Sequence, residues 1–553
     1  MPQFRSQDYS AFALGLMAVL LIKIIYYPSL TLHPQIWEEG ATNFFFTAHH
    51  QGLIKNLIQY DAGYLPWFPR LVAVVTELAR IPVAWVPAVY QWTAIIFIAS
   101  SSAILALPHF RGVVRSDWIR LAIVLALGFF EEYQSHVFIN FAYFGVIPLF
   151  IVVSHPAIVT NLGPWILPIL FLTVCSKGVF IPFLIPSALL ALYHHGRGRW
   201  MERRFFLWLT GGLLIQLGYS LALALYSHTH SMGNGSHGMG LLKSLWSAFS
   251  HLISAAGNTL FGRIYSPGHR ISALLSSLAI LAAIAMSWRR KRWDDLWLVL
   301  TGLTLVFGVN LLVSLKIGEW FDIAVGYFPP EGIFGRWGIL PNAMVFLTIA
   351  ILLARRMVTL GRAGNALFVA WLFAGGVFFP RLPTARNLSW PSVGYDAWST
   401  LSSTIDRERP YCVPVNPYPT IVNRGCNYLE PPAFPNRFGT RQAIWPEVGI
   451  LSPEKFSNQE VMLIGLPLFA PTDSSTRLEA FDREGHTLAS ATSSQTTGGQ
   501  FTFFRFTSPL RGIHRLRLSS RQPVATLDDG TPAWVFLGVK SEKSPAGYYH
   551  QTP

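Results

Sequence analysis

The chain is short of charge: only 13% of its 553 residues are Asp, Glu, Lys or Arg. A soluble globular domain carries about 25%, so an ordinary water-soluble fold is excluded first. Also missing are a Walker-type phosphate loop, a Gly-rich dinucleotide fingerprint and a GxSxG elbow. Nothing is built to bind a nucleotide. Metal-ligand spacing of the strong kind is absent; His228, His230 and His237 sit in a Gly/Ser/Asn loop and read as exposed. There is no low-complexity tract and no internal repeat. No small-residue cleavage site follows Arg5, so the first apolar run reads as a retained span.

Apolar length is what the chain has instead. It is 52% hydrophobic, with a mean hydropathy of +0.39. Span-length apolar runs recur at 9–27, 82–107, 118–130, 137–153, 164–174, 179–193, 205–226, 271–288, 296–315, 337–354 and 363–379. The expected fold class is therefore a polytopic α-helical membrane protein with about 11 transmembrane helices. The net charge of +14 would suit nucleic acid. The basic residues, however, fall in short loops between spans: Arg111 and Arg115, 197–204, 289–292, Arg355 and Arg356. That is the positive-inside pattern, and no nucleic-acid partner is expected. It places the N-terminus in the cytoplasm and the C-terminus outside. The run 118–130, and the two around Cys175-Ser176-Lys177-Gly178, are short for a crossing. Polar backbone at such breaks is buried in protein or lines a wet cavity, and a cavity open to the outer face is expected.

Three outer segments stand out: 28–81, 227–270 and 316–336. In the second, Leu241, Leu245, Phe249, Leu252, Ala256 and Leu260 follow helical spacing, predicting a helix lying on the membrane. From about Pro380 the composition turns polar. The expected organisation is a membrane module over 1–380, an extracytoplasmic linker over 381–435 and a β-sandwich-like domain over 436–553. Strands are predicted at 461–468, 476–482, 500–507, 514–518 and 533–539. Cys412 and Cys426 lie in the outer part, where a disulfide competes with two free thiols. Cys175 reads as a packing residue.

Several side chains point to chemistry. Glu38 and Glu39 sit where the first span leaves the membrane, before an amphipathic run, 43–59, expected to rest on the bilayer surface. One could deprotonate an acceptor hydroxyl and the other hold a divalent metal; a solvated helix cap is the alternative. Glu131 and Glu132, with His136 and Asn140 beyond, lie at the next outer loop. These carboxylates could share a metal, with Glu39 and Glu132 as ligands, or cap the following span. The cations Arg70, Lys177 and Arg336 are all placed near the outer interface. There they suit a lipid-linked phosphate or snorkel to headgroups. Lys177, in a broken apolar stretch, is the strongest of them, since a charge facing a bundle interior is functional by default.

Taken together, these features resemble the GT-C superfamily of integral-membrane glycosyltransferases. The likeness rests on the acidic pair after the first span, the run beginning Thr42-Asn43-Phe44, the second acidic site and the terminal outer domain. Trp37-Glu38-Glu39 is similar to the aromatic-Asp-Glu motif of protein mannosyltransferases and lipid A aminoarabinose transferases, with Glu where Asp is common. Pro414-Val415-Asn416-Pro417 is similar to bacterial members acting on surface polysaccharide, such as O-antigen. The resemblance implies a polyprenyl-phosphate-linked sugar as donor and a glycan or lipid acceptor of the cell envelope. It implies a bacterial inner membrane with a periplasmic C-terminal domain. It also implies inverting displacement with Glu38 as leading acid and Glu39 as its partner, and leaves open a divalent cation, Mg or Mn. A polytopic transporter or lipid flippase is the rival. It would usually show repeated halves and midplane charges. A non-catalytic assembly scaffold is a third reading.

Overall fold

The structure is a computed structural model. It describes residues 9–32, 34, 36–37, 40–60, 64–129, 136–162, 165–229, 240–261, 268–317, 338–357, 361–374, 398, 402, 405, 411–415, 421–424, 426–429, 442–443, 460–467, 477–492, 501–519, 524–525 and 536–540. The chain divides into two compact units. One comprises Met1–Leu32, Leu57–Val72 and Gln91–Leu388; the other comprises His33–Asn56, Ala73–Tyr90 and Ser389–Pro553.

The first unit is helical and membrane-like. Across the described residues of the whole chain, five helices are long and apolar enough to cross a bilayer: Val83–Ala106, whose first residues belong to the second unit, Gly178–Gly196, Trp200–Leu223, Trp293–Leu315 and Ile339–Met357. A sixth is a broken pair, Phe141–Ser154 and Pro156–Leu162, bent by 95°. The expected count of about eleven is thus not confirmed among the described residues. Two expected spans fold short: 118–130 as the twelve-residue helix Asp117–Gly128, and 164–174 as the nine-residue helix Ile166–Val174.

Small residues set the packing, as they do where lipid removes any hydrophobic preference for one partner over another. A side chain at Gly15 would meet Val124 at 3.1 Å, and one at Gly128 would meet Val19 at 3.1 Å. These contacts hold Ser10–Tyr26 against Asp117–Gly128. The predicted helix at 241–260 is present as Leu241–Phe261, with a different face inward. Ser244, Ala248, Leu252, Ala255 and Thr259 are buried, while Leu241, Leu242, Trp246 and Phe249 are exposed. It packs on Trp293–Ile317 and Ile339–Met357 through its small side chains. The reading of a helix that only lies on the membrane is corrected: close backbone approach selects the small face, and the large apolar side chains point outward.

The second unit carries the sheets. Its strands are β1 (Tyr411–Pro414), β2 (Ile421–Arg424), β3 (Cys426–Leu429), β4 (Gln442–Ala443), β5 (Val461–Pro467), β6 (Arg477–Phe481), β7 (Thr487–Thr492), β8 (Phe501–Leu510), β9 (Arg515–Ser519), β10 (Val524–Ala525) and β11 (Phe536–Lys540). They form a four-stranded sheet, β3-β11-β5-β8, a three-stranded sheet, β7-β6-β9, and the ribbons β1-β2 and β10-β4. The five predicted strands fall on β5, β6, β8, β9 and β11. Alternation explains β6 and β9: Leu478, Ala480, Leu516 and Leu518 enter one core with Ile464 and Phe504 of the larger sheet. On the other face Arg517 stands opposite Glu479 and donates to its Oε2 at 2.7 Å.

The amphipathic run after the acidic pair is packed into this unit. Phe44, Phe45, Phe46, Thr47 and Ala48 are buried, and Phe45 meets Trp398 edge-on at 5.1 Å. The expectation that the run rests on the bilayer is corrected for this half, because its aromatic side chains are spent on protein contacts.

Candidate functional site

The most distinctive chemistry in the helical unit is at the break after Val174. The helix Ile166–Val174 ends, Lys177 is extended (φ −149°, ψ 129°), and a 3₁₀ turn, Gly178–Phe183, restarts the chain. The backbone groups released there are met by protein, as burial in an apolar bundle requires. Trp67 N donates to Cys175 O at 3.4 Å, and Phe68 N donates to Ser176 Oγ at 2.9 Å. The Gln216 amide oxygen, turned toward them, accepts from Gly178 N and Leu65 N, each at 3.3 Å.

Lys177 itself is 2% exposed. Its Nζ donates to Tyr64 Oη at 2.5 Å and to Asn140 Oδ1 at 3.1 Å. It lies 4.5 Å from the Tyr64 ring centroid and 5.0 Å from that of Tyr143. Two hydrogen-bond acceptors and two ring faces are thus among the contacts of a buried ammonium, and groups of this kind stabilise such a charge. Two residues singled out in the sequence, Lys177 and Asn140, are thus in direct contact.

Arg70 belongs to the same unit, three residues into the helix Trp67–Leu78. It is fully buried, and Nη2 lies 3.4 Å from Tyr60 O. Snorkelling to headgroups is ruled out for it by that burial. His136 is also fully buried. Its ring packs on Tyr27 at 4.5 Å, and its carbonyl accepts from Gln91 Nε2 at 2.7 Å.

A second buried lysine escaped the sequence reading. Lys23 Nζ donates to Gly128 O at 2.7 Å and sits 5.8 Å from the Tyr27 ring and 5.9 Å from Phe144. The signal was available: a charge inside the first apolar run.

The other unit has its own polar cluster, equally missed. A π-helical turn, Gly40–Phe45, leads into the helix Phe46–His50; π turns are frequent at functional sites. His49 Nδ1 is 3.1 Å from Glu77 Oε2. His50 Nε2 is 2.6 Å from Tyr411 Oη on β1. The signal was the doublet His49-His50 on a helix whose other residues are aromatic or small.

Glu38, Glu39, Glu131, Glu132 and Arg336 lie outside the described residues. So do the side chains of Cys412, on β1, and Cys426, on β3. The cation ligands expected at Glu39 and Glu132 are among them. Among the described residues, Asp482, Glu484 and His486 come together in the β6–β7 turn. There Asp482 Oδ1 accepts from His486 N at 2.7 Å, which makes the group a turn cap on the surface. No family model, curated protein or solved structure matches the chain.

Proposed function

We propose that this protein is a membrane glycosyltransferase that moves a sugar from a polyprenyl-phosphate donor to a cell-envelope glycan or lipid acceptor. The observation that carries the reading is the nested Lys177. A buried ammonium held by Tyr64, Asn140 and Tyr143, at a break in an apolar helix, suits a phosphate whose tail is in lipid. In this reading the acceptor oxygen attacks the anomeric carbon and its proton passes to Glu38, with Glu39 beside it. The bond from that carbon to the phosphate oxygen breaks, and the electron pair leaves with the lipid phosphate toward Lys177. One displacement inverts the sugar. The placement that goes with this reading is a bacterial inner membrane, the N-terminus inside and the C-terminal β-rich domain outside. Arg70 and Arg336 are further phosphate contacts.

A transporter or lipid flippase is the second reading. What favours it is the 95° break between Phe141–Ser154 and Pro156–Leu162, since bent helices beside a buried charge also build transport sites.

One experiment separates them. Purified protein is incubated with polyprenyl-phosphate sugars and an acceptor glycan fraction, and polyprenyl phosphate release is measured. Release that disappears in Glu38→Gln or Glu39→Gln supports the transferase. Lack of turnover across a broad donor panel, with folded protein, moves the reading to transport, and lipid flipping becomes the assay.

A further inference from the structure

An apolar opening in the helical unit has a cationic end that glycosyl transfer does not use. It lies among the helices Leu241–Phe261, Gly268–Arg289, Trp293–Ile317 and Ile339–Met357, and holds ≈ 230 Å³ of internal space. Its walls are small and aliphatic, among them Ala256, Ala283, Gly302 and Leu352; among the described residues Ser287, Thr348 and Arg356 are its polar lining. Along Ile339–Met357 the lining runs from Val345 to Arg356, about 16 Å of helix axis at 1.5 Å per residue. Half of a bilayer's hydrocarbon core is about 15 Å. The slot is therefore one leaflet deep.

Its polar end is built. Arg292, Arg355 and Arg356 converge on Asp295: Arg355 Nη1 at 2.7 Å, Arg356 Nη2 at 3.3 Å and Arg292 Nη1 at 4.0 Å. Three guanidinium groups against one carboxylate leave this end cationic. Arg356 is both part of the slot wall and 28% exposed. Ser287 lines the same end. It is 1% exposed, and its hydroxyl has no hydrogen-bond partner among the described residues. A buried hydroxyl without a partner is destabilising, and a ligand oxygen would satisfy it. Thr348, by contrast, is satisfied, donating to Met344 O at 2.8 Å. By the positive-inside pattern this end faces the cytoplasm. Lys177 starts the Gly178–Gly196 span, whose other end meets the basic loop 197–204, so the slot's polar end and Lys177 are at opposite ends of the bundle.

We propose that this slot binds one acyl chain of an anionic phospholipid from the cytoplasmic leaflet, with its phosphate at Arg356 and Arg292 and a lipid oxygen at Ser287. Charge selects the occupant, since a zwitterionic lipid brings a cationic group into an arginine cluster. The site is independent of the transfer reaction.

The test is native mass spectrometry of the full chain in detergent, titrated with phosphatidylglycerol and, separately, phosphatidylcholine. Retention of one phosphatidylglycerol is expected, weakened about tenfold in Arg356→Gln and in Ala283→Phe, which fills the slot. Ala283 is only partly buried, so that variant keeps the fold. Soluble glycerol phosphate should not compete, because it lacks the chain. Equal retention of both lipids, or retention unchanged in Ala283→Phe, overturns the proposal. So does displacement by glycerol phosphate alone, or a dimer lost in Ala283→Phe with no bound lipid.

Discussion

Lys177 Nζ stands 3.1 Å from Asn140 Oδ1 although the residues are 37 positions apart. Each sits at an irregular point of the backbone, Lys177 after a helix end and Asn140 just before the 3₁₀ turn Phe141–Gly145. Two breaks therefore meet and share one buried cation.

Lys177→Met should lower polyprenyl phosphate release about 10²–10³-fold, the usual effect of removing a group that stabilises a developing anion. Asn140→Ala should lower it about tenfold, through loss of one hydrogen bond to a charged group. Single-turnover rates at saturating donor check both. Wild-type rates in Lys177→Met would remove Lys177 from the site.

Gly145→Ala should act on the same contact from a distance. A side chain at Gly145 would collide with Thr173 Cγ2, one residue before the end of Ile166–Val174. The expected cost is about 1–3 kcal/mol of overpacking. Combining it with Thr173→Ala should restore both stability and turnover, a non-additivity that a double-mutant cycle reads directly.

Asp117 governs acid stability at the arginine end. Its carboxyl is held below the usual 3.8 first by the hydrogen bond from Arg111, then by Arg120, against opposing burial. A depressed carboxyl contributes stability that is complete above 3.8 and is lost as pH falls through the lowered value. Asp117→Asn should therefore be less stable than wild type at neutral pH, and the two should converge in strong acid. At neutral pH we expect a loss of about 2 kcal/mol. The buried Arg120 loses its carboxylate but keeps Val114 O, and Asp117 itself is 36% exposed. Denaturant midpoints in detergent across pH give the curve.

In the sheet-bearing unit, Tyr411→Phe removes the hydroxyl that meets His50 at 2.6 Å. A loss of about 1 kcal/mol is expected, visible as faster amide exchange in β1 and in Phe46–His50. Protection unchanged in both segments would show that the bond contributes nothing there.

The membrane class and the outlying strands were legible because they rest on local patterns. Apolar length marks a span, and alternation such as Arg477, Leu478, Glu479, Ala480 marks a strand with one buried face. The break at Lys177 was legible too, since an apolar run is interrupted by Ser176-Lys177-Gly178. For Arg70 the sequence left a phosphate contact and snorkelling both open, because a buried and a snorkelling arginine leave the same sequence. Lys23, His49, His50 and Glu77 were passed over because their partners are far along the chain: Gly128, Glu77 and Tyr411 have no local signature.

By itself, the sequence determined the solvent of this protein, the basic ends of its helices and the faces of its strands, because transfer energies and side-chain periodicity act residue by residue. Only the tertiary structure decided which breaks meet, which face of Leu241–Phe261 turns inward and what surrounds each buried cation. Those outcomes depend on how closely two backbones approach, and that is set jointly by residues such as Gly145 and Thr173 that no local pattern links.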